Sequence, residues 1–270
     1  MRSIALFIFH LFINVINDYL AQIIQINPIQ ITFFRFATAA IIITPFITKT
    51  IYQSNIKLHI LRGMLLLLGI ILWIFGLKKT HLSSAIAIGF MSPIFLIIFE
   101  RILLGTNIPI NRLYYIIIGF IGIIFTTYDD NYILSYTLLI FITATICFST
   151  LDIITRYIAH EPIINNACIT YSTIAIILLP YIIYYNLYSI SLYNLILCIL
   201  LGINSNIIIY CITYAYQYNP PSFYGTYRYL EIIFSFIIQY VFTKTLPSNI
   251  NNLGIIIIII TAYLYHHNKK

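Results

Sequence analysis

Apolar runs of about 20 residues follow one another along the whole chain. Each is long enough, as a helix rising about 1.5 Å per residue, to cross a hydrocarbon core of roughly 30 Å. Lipid offers no partner to backbone amides, so runs of this kind fold as helices that satisfy themselves. Breaks at Pro, Asn and charged residues mark ten expected spans, near residues 3–23, 30–48, 58–77, 82–104, 111–127, 133–156, 164–184, 190–211, 221–242 and 251–266. Charged residues make up 8% of the chain, against roughly 25% in soluble domains. The expected fold class is therefore an all-α membrane protein of ten transmembrane helices, with no room in its connections for a soluble domain. Met1 to Leu11 pairs one early Arg with an apolar stretch, yet no small-residue cleavage site follows, and Asn14, Asn17 and Asp18 interrupt it. It reads as the start of the first retained span.

The formal charge of +7 comes from 14 Lys and Arg scattered along the chain, so it points to topology and not to a nucleic-acid partner. With the N-terminus inside, inner segments carry Arg2, Lys49, Lys57, Arg62, Arg101, Arg112, Arg156, Lys269 and Lys270, and outer segments only Lys78, Lys79 and Lys244. That imbalance places both termini in the cytoplasm. The halves also echo each other. Asp18 and Pro28 recur as Asp152 and Pro162, and Ile110-Asn111-Arg112-Leu113 recurs as Ile250-Asn251-Asn252-Leu253. Two repeats follow, residues 1–130 and 131–270, each of five helices. Five is odd, so the second enters the membrane from the opposite side, the inverted architecture that suits alternating access at a shared midplane site.

A charge held inside a span costs at least about 2.5–3.5 kcal/mol, which makes such residues the default functional candidates. Arg228 and Glu231, three apart in Tyr227-Arg228-Tyr229-Leu230-Glu231, share a helix face. They either meet substrate or pair with each other. Asp18 and Asp152 sit at matching places in the two halves, to meet a cation or to pair locally, Asp18 with Arg35 and Asp152 with Arg156. Trp73, Tyr227 and Tyr229 are placed to stack on a flat ring or hold a cation, whereas most of the 24 Tyr suit the interface or packing. Glu100 and Arg101 read as snorkelling anchors, and Lys57, His59 and Arg62 as interfacial charge, with Arg62 kept as the weakest of the candidates. Cys147, Cys168, Cys198 and Cys211 lie in apolar runs without metal or redox spacing, as inert core residues do. No HExxH, GxSxG or Walker loop is present, so no enzyme, metal or cofactor is expected. A membrane scaffold is the bland alternative.

Two five-helix halves, Met91-Ser92-Pro93 in the fourth helix and Gly105 closing it resemble the drug/metabolite transporter superfamily, of EamA type. Thr32-Phe33-Phe34-Arg35-Phe36, His59-Ile60-Leu61-Arg62-Gly63, Leu151-Asp152-Ile153-Ile154 and Tyr227-Arg228-Tyr229-Leu230-Glu231 resemble the S-adenosylmethionine uptake transporters of obligate intracellular bacteria. The resemblance implies an inner-membrane importer of S-adenosylmethionine with S-adenosylhomocysteine as counter-substrate. It also implies a carboxylate at Arg228 or Arg35, the sulfonium and ammonium at Asp18, Asp152 or Glu231, and adenine on aromatic rings. Many superfamily members carry a Glu after the glycine closing the fourth helix and again after the ninth. Here Thr106 and Lys244 or Thr245 stand there, which favours exchange over proton coupling. The runner-up is a same-fold transporter or exporter of another metabolite, amino acid or drug. The oligomeric state is left open.

Overall fold

A computed structural model describes residues 2–48, 54–79, 82–105, 110–126 and 136–243, and part of 253–264. The chain runs α1 (Arg2–Ile23), α2 (Pro28–Ile43) with a 3-10 turn at Thr44–Phe46, α3 (Ile56–Leu77), α4 (Leu82–Gly89), α5 (Ser92–Leu104) and α6 (Ile110–Thr126). It continues through α7 (Tyr136–Tyr157), α8 (Ile163–Tyr184), α9 (Leu192–Tyr218), a 3-10 segment (Pro221–Tyr229) and α10 (Leu230–Thr243). Six of these elements are long and apolar enough to cross a membrane among the described residues: Arg2–Ile23, Pro28–Phe46, Ile56–Leu77, Tyr136–Tyr157, Ile163–Tyr184 and Leu192–Tyr218. Thr106, Lys244, Thr245, the loop charges Lys49, Lys269 and Lys270, and the Ile250–Asn252 part of the sequence echo lie outside the described residues.

Local chemistry sets the helix ends. Asn27 caps α2, its side chain accepting from the Ile29 N–H at 2.9 Å while Gln30 reaches back to the Asn27 N–H at 3.2 Å, with Pro28 in the first turn where its missing N–H costs nothing. Asn55 and Ser191 cap α3 and α9. Gly105 closes α5 at φ 64°, a left-handed position that glycine takes without strain.

Two expected spans are broken in the middle. The fourth divides at Phe90 and Met91, because Pro93 has no N–H to bond the carbonyl four residues back. The ninth is a tight helix over nine residues before it relaxes into α10. Such 3-10 runs rarely exceed four residues, and tertiary bonds hold this one. Glu100 accepts from the Ser222 N–H at 2.9 Å and from its hydroxyl at 3.0 Å, Tyr224 donates to the Ala215 carbonyl at 3.0 Å, and Tyr229 donates to the Ile116 carbonyl at 2.7 Å. Glu100 is thus no interfacial anchor. It is 1% exposed and staples one broken span to the other.

Helix packing comes in exchangeable pairs. α3 packs on α7 as α1 does on α9, α2 on α9 as α3 on α8, and α5 on α7 as α10 on α1. Renaming the first three helices as α7, α8 and α9, and α5 as α10, turns each contact into its partner. The outward faces are apolar, with Ile41, Ile102, Leu139, Ile176 and Leu192 exposed, while Asp18, Arg35, Arg62 and Asp152 are buried. A protein with lipid outside and charge inside has this distribution. All four cysteines are buried and in no disulfide, as expected of inert core residues.

Candidate substrate site

One cavity of about 170 Å³ opens between the helices, bordered on its apolar sides by Phe36, Ile70, Trp73 and Ile86. Its polar lining collects Asp18 from α1, Arg35 from α2, Arg62 from α3, Asp152 from α7, Arg228 from the 3-10 segment and Glu231 from α10. Every charged candidate named from the sequence reaches this one space. Both broken spans border it, through Gly89 and Ser92 on one side and Arg228 and Glu231 on the other.

None of the local pairings holds. Arg228 does not join Glu231, and Asp152 does not join Arg156. Arg228 instead pairs with Asp152 through Nη2, and the same nitrogen donates to the Tyr216 hydroxyl at 2.9 Å. Arg228 stands near the end of the 3-10 segment facing α7 and α9, where Asp152 and the Tyr216 hydroxyl both accept from one guanidinium nitrogen, while Glu231 follows in α10. Arg156 donates to the Tyr216 carbonyl. Asp18 accepts from the Trp73 indole N–H at 3.0 Å, Arg35 donates from Nε to the Ser205 hydroxyl at 2.7 Å, and Glu231 accepts from the Asn14 amide at 3.4 Å.

Trp73 is wedged. Its ring meets Phe141 and Phe148 edge-on, with centroids 5.0 and 5.9 Å away. On the other side Gly89 leaves the space it needs, since a Cβ there would stand 2.8 Å from the indole. Trp73→Phe keeps most of the ring but removes Asp18's donor. The expected loss is about 1.5–3 kcal/mol of stability, the range for hydrogen bonds to charged groups, read by circular-dichroism melting of the purified protein. An unchanged melt would mean that the indole bond holds nothing.

Tyr227 and Tyr229 lie outside the cavity lining, packed in the core with Tyr229 edge-on to Phe90 at 5.4 Å. Arg62, read from the sequence as interfacial, is 3% exposed and faces the cavity. His59 is also buried and bonds Glu161 at 2.8 Å. Glu161 lies in the link between α7 and α8. Partial burial pushes its carboxyl up, but bonds from His59 and the Asn55 N–H outweigh that and hold it below the ordinary carboxylate range.

Several lining residues escaped sequence reading. His10 and Asn14 precede Asp18 at intervals of four and share its face of α1, a spacing that was available as a signal. Tyr171 donates to the Ser205 carbonyl at 2.7 Å, yet nothing in its local sequence sets it apart from the other tyrosines. Among the described residues, no cluster of three or more His, Cys, Asp or Glu side chains is arranged to hold a metal.

Comparison with known proteins agrees with this architecture. Residues 1–128 and 135–266 match the EamA-like transporter family. The S-adenosylmethionine uptake transporter of Rickettsia bellii is 29% identical over 95% of this chain and 89% of its own length, and that of Rickettsia conorii is 29% identical over 95% and 88%. A riboflavin transporter of Brucella anthropi is 26% identical over 55% of this chain and 54% of its own. A solved crystal structure superposes with a TM-score of 0.77 over 99% of this chain and 98% of that one, at 14% identity, a likeness of fold alone. The protein is a transporter and not an enzyme, a multi-pass membrane protein whose place in bacteria is the inner membrane. With the match running through both halves of the sequence, the chain belongs to the EamA-like transporter family.

Proposed function

We propose that this protein imports S-adenosylmethionine in exchange for S-adenosylhomocysteine, by alternating access between two inverted five-helix repeats with both termini in the cytoplasm. The observation that carries this reading is the buried cavity lined by acids and arginines from both halves. S-adenosylmethionine brings a carboxylate, an ammonium and a sulfonium to such a lining, and an adenine to Trp73. In this reading Asp18, Asp152 and Glu231 face cationic groups, Arg35 and Arg228 face the carboxylate, and Tyr227 and Tyr229 support Arg228 from the core. The relatives named as S-adenosylmethionine uptake transporters support the substrate. Riboflavin, which carries neither ammonium nor carboxylate, leaves these charges without a task.

The exchangeable packing pairs and the division of the family match into 1–128 and 135–266 support the repeats at 1–130 and 131–270. Broken helices at the cavity are the usual device of inverted-repeat carriers. A cavity of about 170 Å³ is also smaller than the roughly 300–1,000 Å³ that enclose ligands of this size, so entry requires the two halves to part.

Uptake of labelled S-adenosylmethionine into bacteria expressing the protein tests the proposal. Saturable uptake above empty vector, quickened by S-adenosylhomocysteine loaded inside, is the expected result. Uptake indifferent to preloading would remove exchange. No uptake from protein shown to be in the membrane would remove the substrate.

A further inference from the structure

Arg62 is a buried cation with no acid of its own among the described residues. Its Nε and Nη1 are buried and have no hydrogen-bond partner among the described residues, and the side chain lines the cavity. The acids within its electrostatic reach are Asp152 and Glu161, and both are committed elsewhere, Asp152 to Arg228 and Glu161 to His59. The backbone beside it is fixed. A Cβ on Gly63 would stand 2.9 Å from the Thr173 Cβ and 3.1 Å from the Thr170 carbonyl oxygen, so α3 lies directly against α8 at this level. Leaving a guanidinium buried and unpaired is expensive. A site that keeps one is built for an anion that arrives from outside.

A second guanidinium converges on the same place. Tyr171 lies within electrostatic reach of both Arg62 and Arg35, and its hydroxyl is turned away to the Ser205 carbonyl. Arg35 bonds Ser205 through Nε alone among the described residues, which leaves its two terminal nitrogens for another acceptor. Beyond Arg35 the sign reverses, for Asp18 lies within its reach and Glu231 within reach of Asp18. Arg62 and Arg35 thus neighbour one another across Tyr171, Asp18 and Glu231 follow beyond Arg35, and the Arg228–Asp152 pair lies within reach of both groups. Arg228 also keeps a buried Nε without a hydrogen-bond partner among the described residues, but it is already ion-paired with Asp152 and bonded to Tyr216, whereas neither Arg62 nor Arg35 is in an ion pair there.

We infer that Arg62, assisted by Arg35, is the anchor for the substrate's carboxylate, with the cationic groups turned toward Asp18 and Glu231. The inference rests on the proposed reading that the substrate is a small molecule carrying both charges. It moves the carboxylate from Arg228 to the residue that sequence reading kept as its weakest candidate. It also makes the carboxylate a condition of recognition, because a ligand lacking it leaves two buried guanidinium groups unpaired.

The test compares S-adenosylmethionine with its decarboxylated analogue, which keeps the sulfonium, amine and adenine. Trp73 is the only tryptophan in the chain and lines the cavity, so its emission reports binding to purified protein in detergent. Wild type is expected to prefer S-adenosylmethionine by roughly ten- to a hundredfold, the scale of hydrogen bonds to charged groups. Arg62→Gln is expected to lose that preference by weakening the carboxylated ligand while leaving the analogue nearly unchanged, and Arg62→Lys to keep part of it. A purely structural role for Arg62 would weaken both ligands alike, and that result, or full preference retained in Arg62→Gln, overturns the inference. If S-adenosylmethionine does not alter wild-type emission, the substrate reading falls by itself. The anchor is then judged on amino acids against their decarboxylated amines, methionine and 3-(methylthio)propylamine first. Preference for the acids lost in Arg62→Gln upholds it, and no preference in wild type overturns it.

Discussion

Arg228→Met is expected to abolish uptake and to cost about 3–5 kcal/mol of stability, because it strands the Asp152 carboxylate in a buried site. The pair joins the 3-10 segment to α7, and Tyr216 of α9 shares the same guanidinium nitrogen, so three elements lose a common fastening. Adding Asp152→Asn to Arg228→Met separates the structural part from transport. With the Asp152 charge removed as well, the double variant is expected to recover most of the lost stability, since a buried ion pair replaced as a whole is often neutral. Uptake is not expected to return. Thermal melting in detergent and uptake in cells read the two quantities independently. A double variant that transports like wild type would reduce the pair to a staple and remove both residues from the site.

The second large effect belongs to a residue with no charge. A Cβ placed on Gly202 would stand 2.2 Å from the Thr38 hydroxyl oxygen, 2.8 Å from the Arg35 carbonyl oxygen and 3.1 Å from the Ala39 nitrogen. Two of those three atoms are backbone and cannot rotate aside. Small residues let membrane helices approach in this way, and α2 and α9 are bonded along the same seam by Arg35 to Ser205 and by Asn206 to the Ala39 carbonyl at 3.1 Å. Gly202→Val must force the helices apart, at a cost on the order of 3 kcal/mol, the upper range for overpacking. It should also draw Arg35 off Ser205 and impair uptake in whatever protein still folds. Leu200→Val, on the exposed face of the same helix, is the control expected to melt as wild type does. Equal melting of the two variants would show that the seam can yield.

The fold was legible because lipid simplifies the code. Run length fixes a span, and Asn27, Pro28 and Gly105 mark ends by local chemistry that needs no tertiary information. The fourth span was read as one helix, with Pro93 inside it, and the sequence could not show that it would divide there. The ninth span was read as one helix, since Ser222, Tyr224 and Tyr229 keep the tighter winding only through partners on distant elements. The site was legible in its charges and not in its pairings. Asp18, Arg35, Asp152, Arg228 and Glu231 stood out because charge in a span has few explanations. That Asp18 would answer to Trp73, 55 positions away, depends on helix rotation, which packing sets. Arg62 shows the reverse error, for closeness to the start of α3 suggested the interface, whereas the facing helix α8 buries it.

The tight winding of Pro221–Tyr229 also fixes a length and a bearing. Nine residues at about 2.0 Å each reach roughly 4.5 Å further than the same nine at about 1.5 Å, and they complete about half a turn more. If this stretch relaxed to ordinary α winding, Arg228 would swing to the opposite azimuth and leave Asp152 without either end of the span being displaced sideways. Glu100, gripping Ser222 at the far end, and Asp152, gripping Arg228 at the near end, therefore act on one torsional coordinate. Releasing either would unload the other.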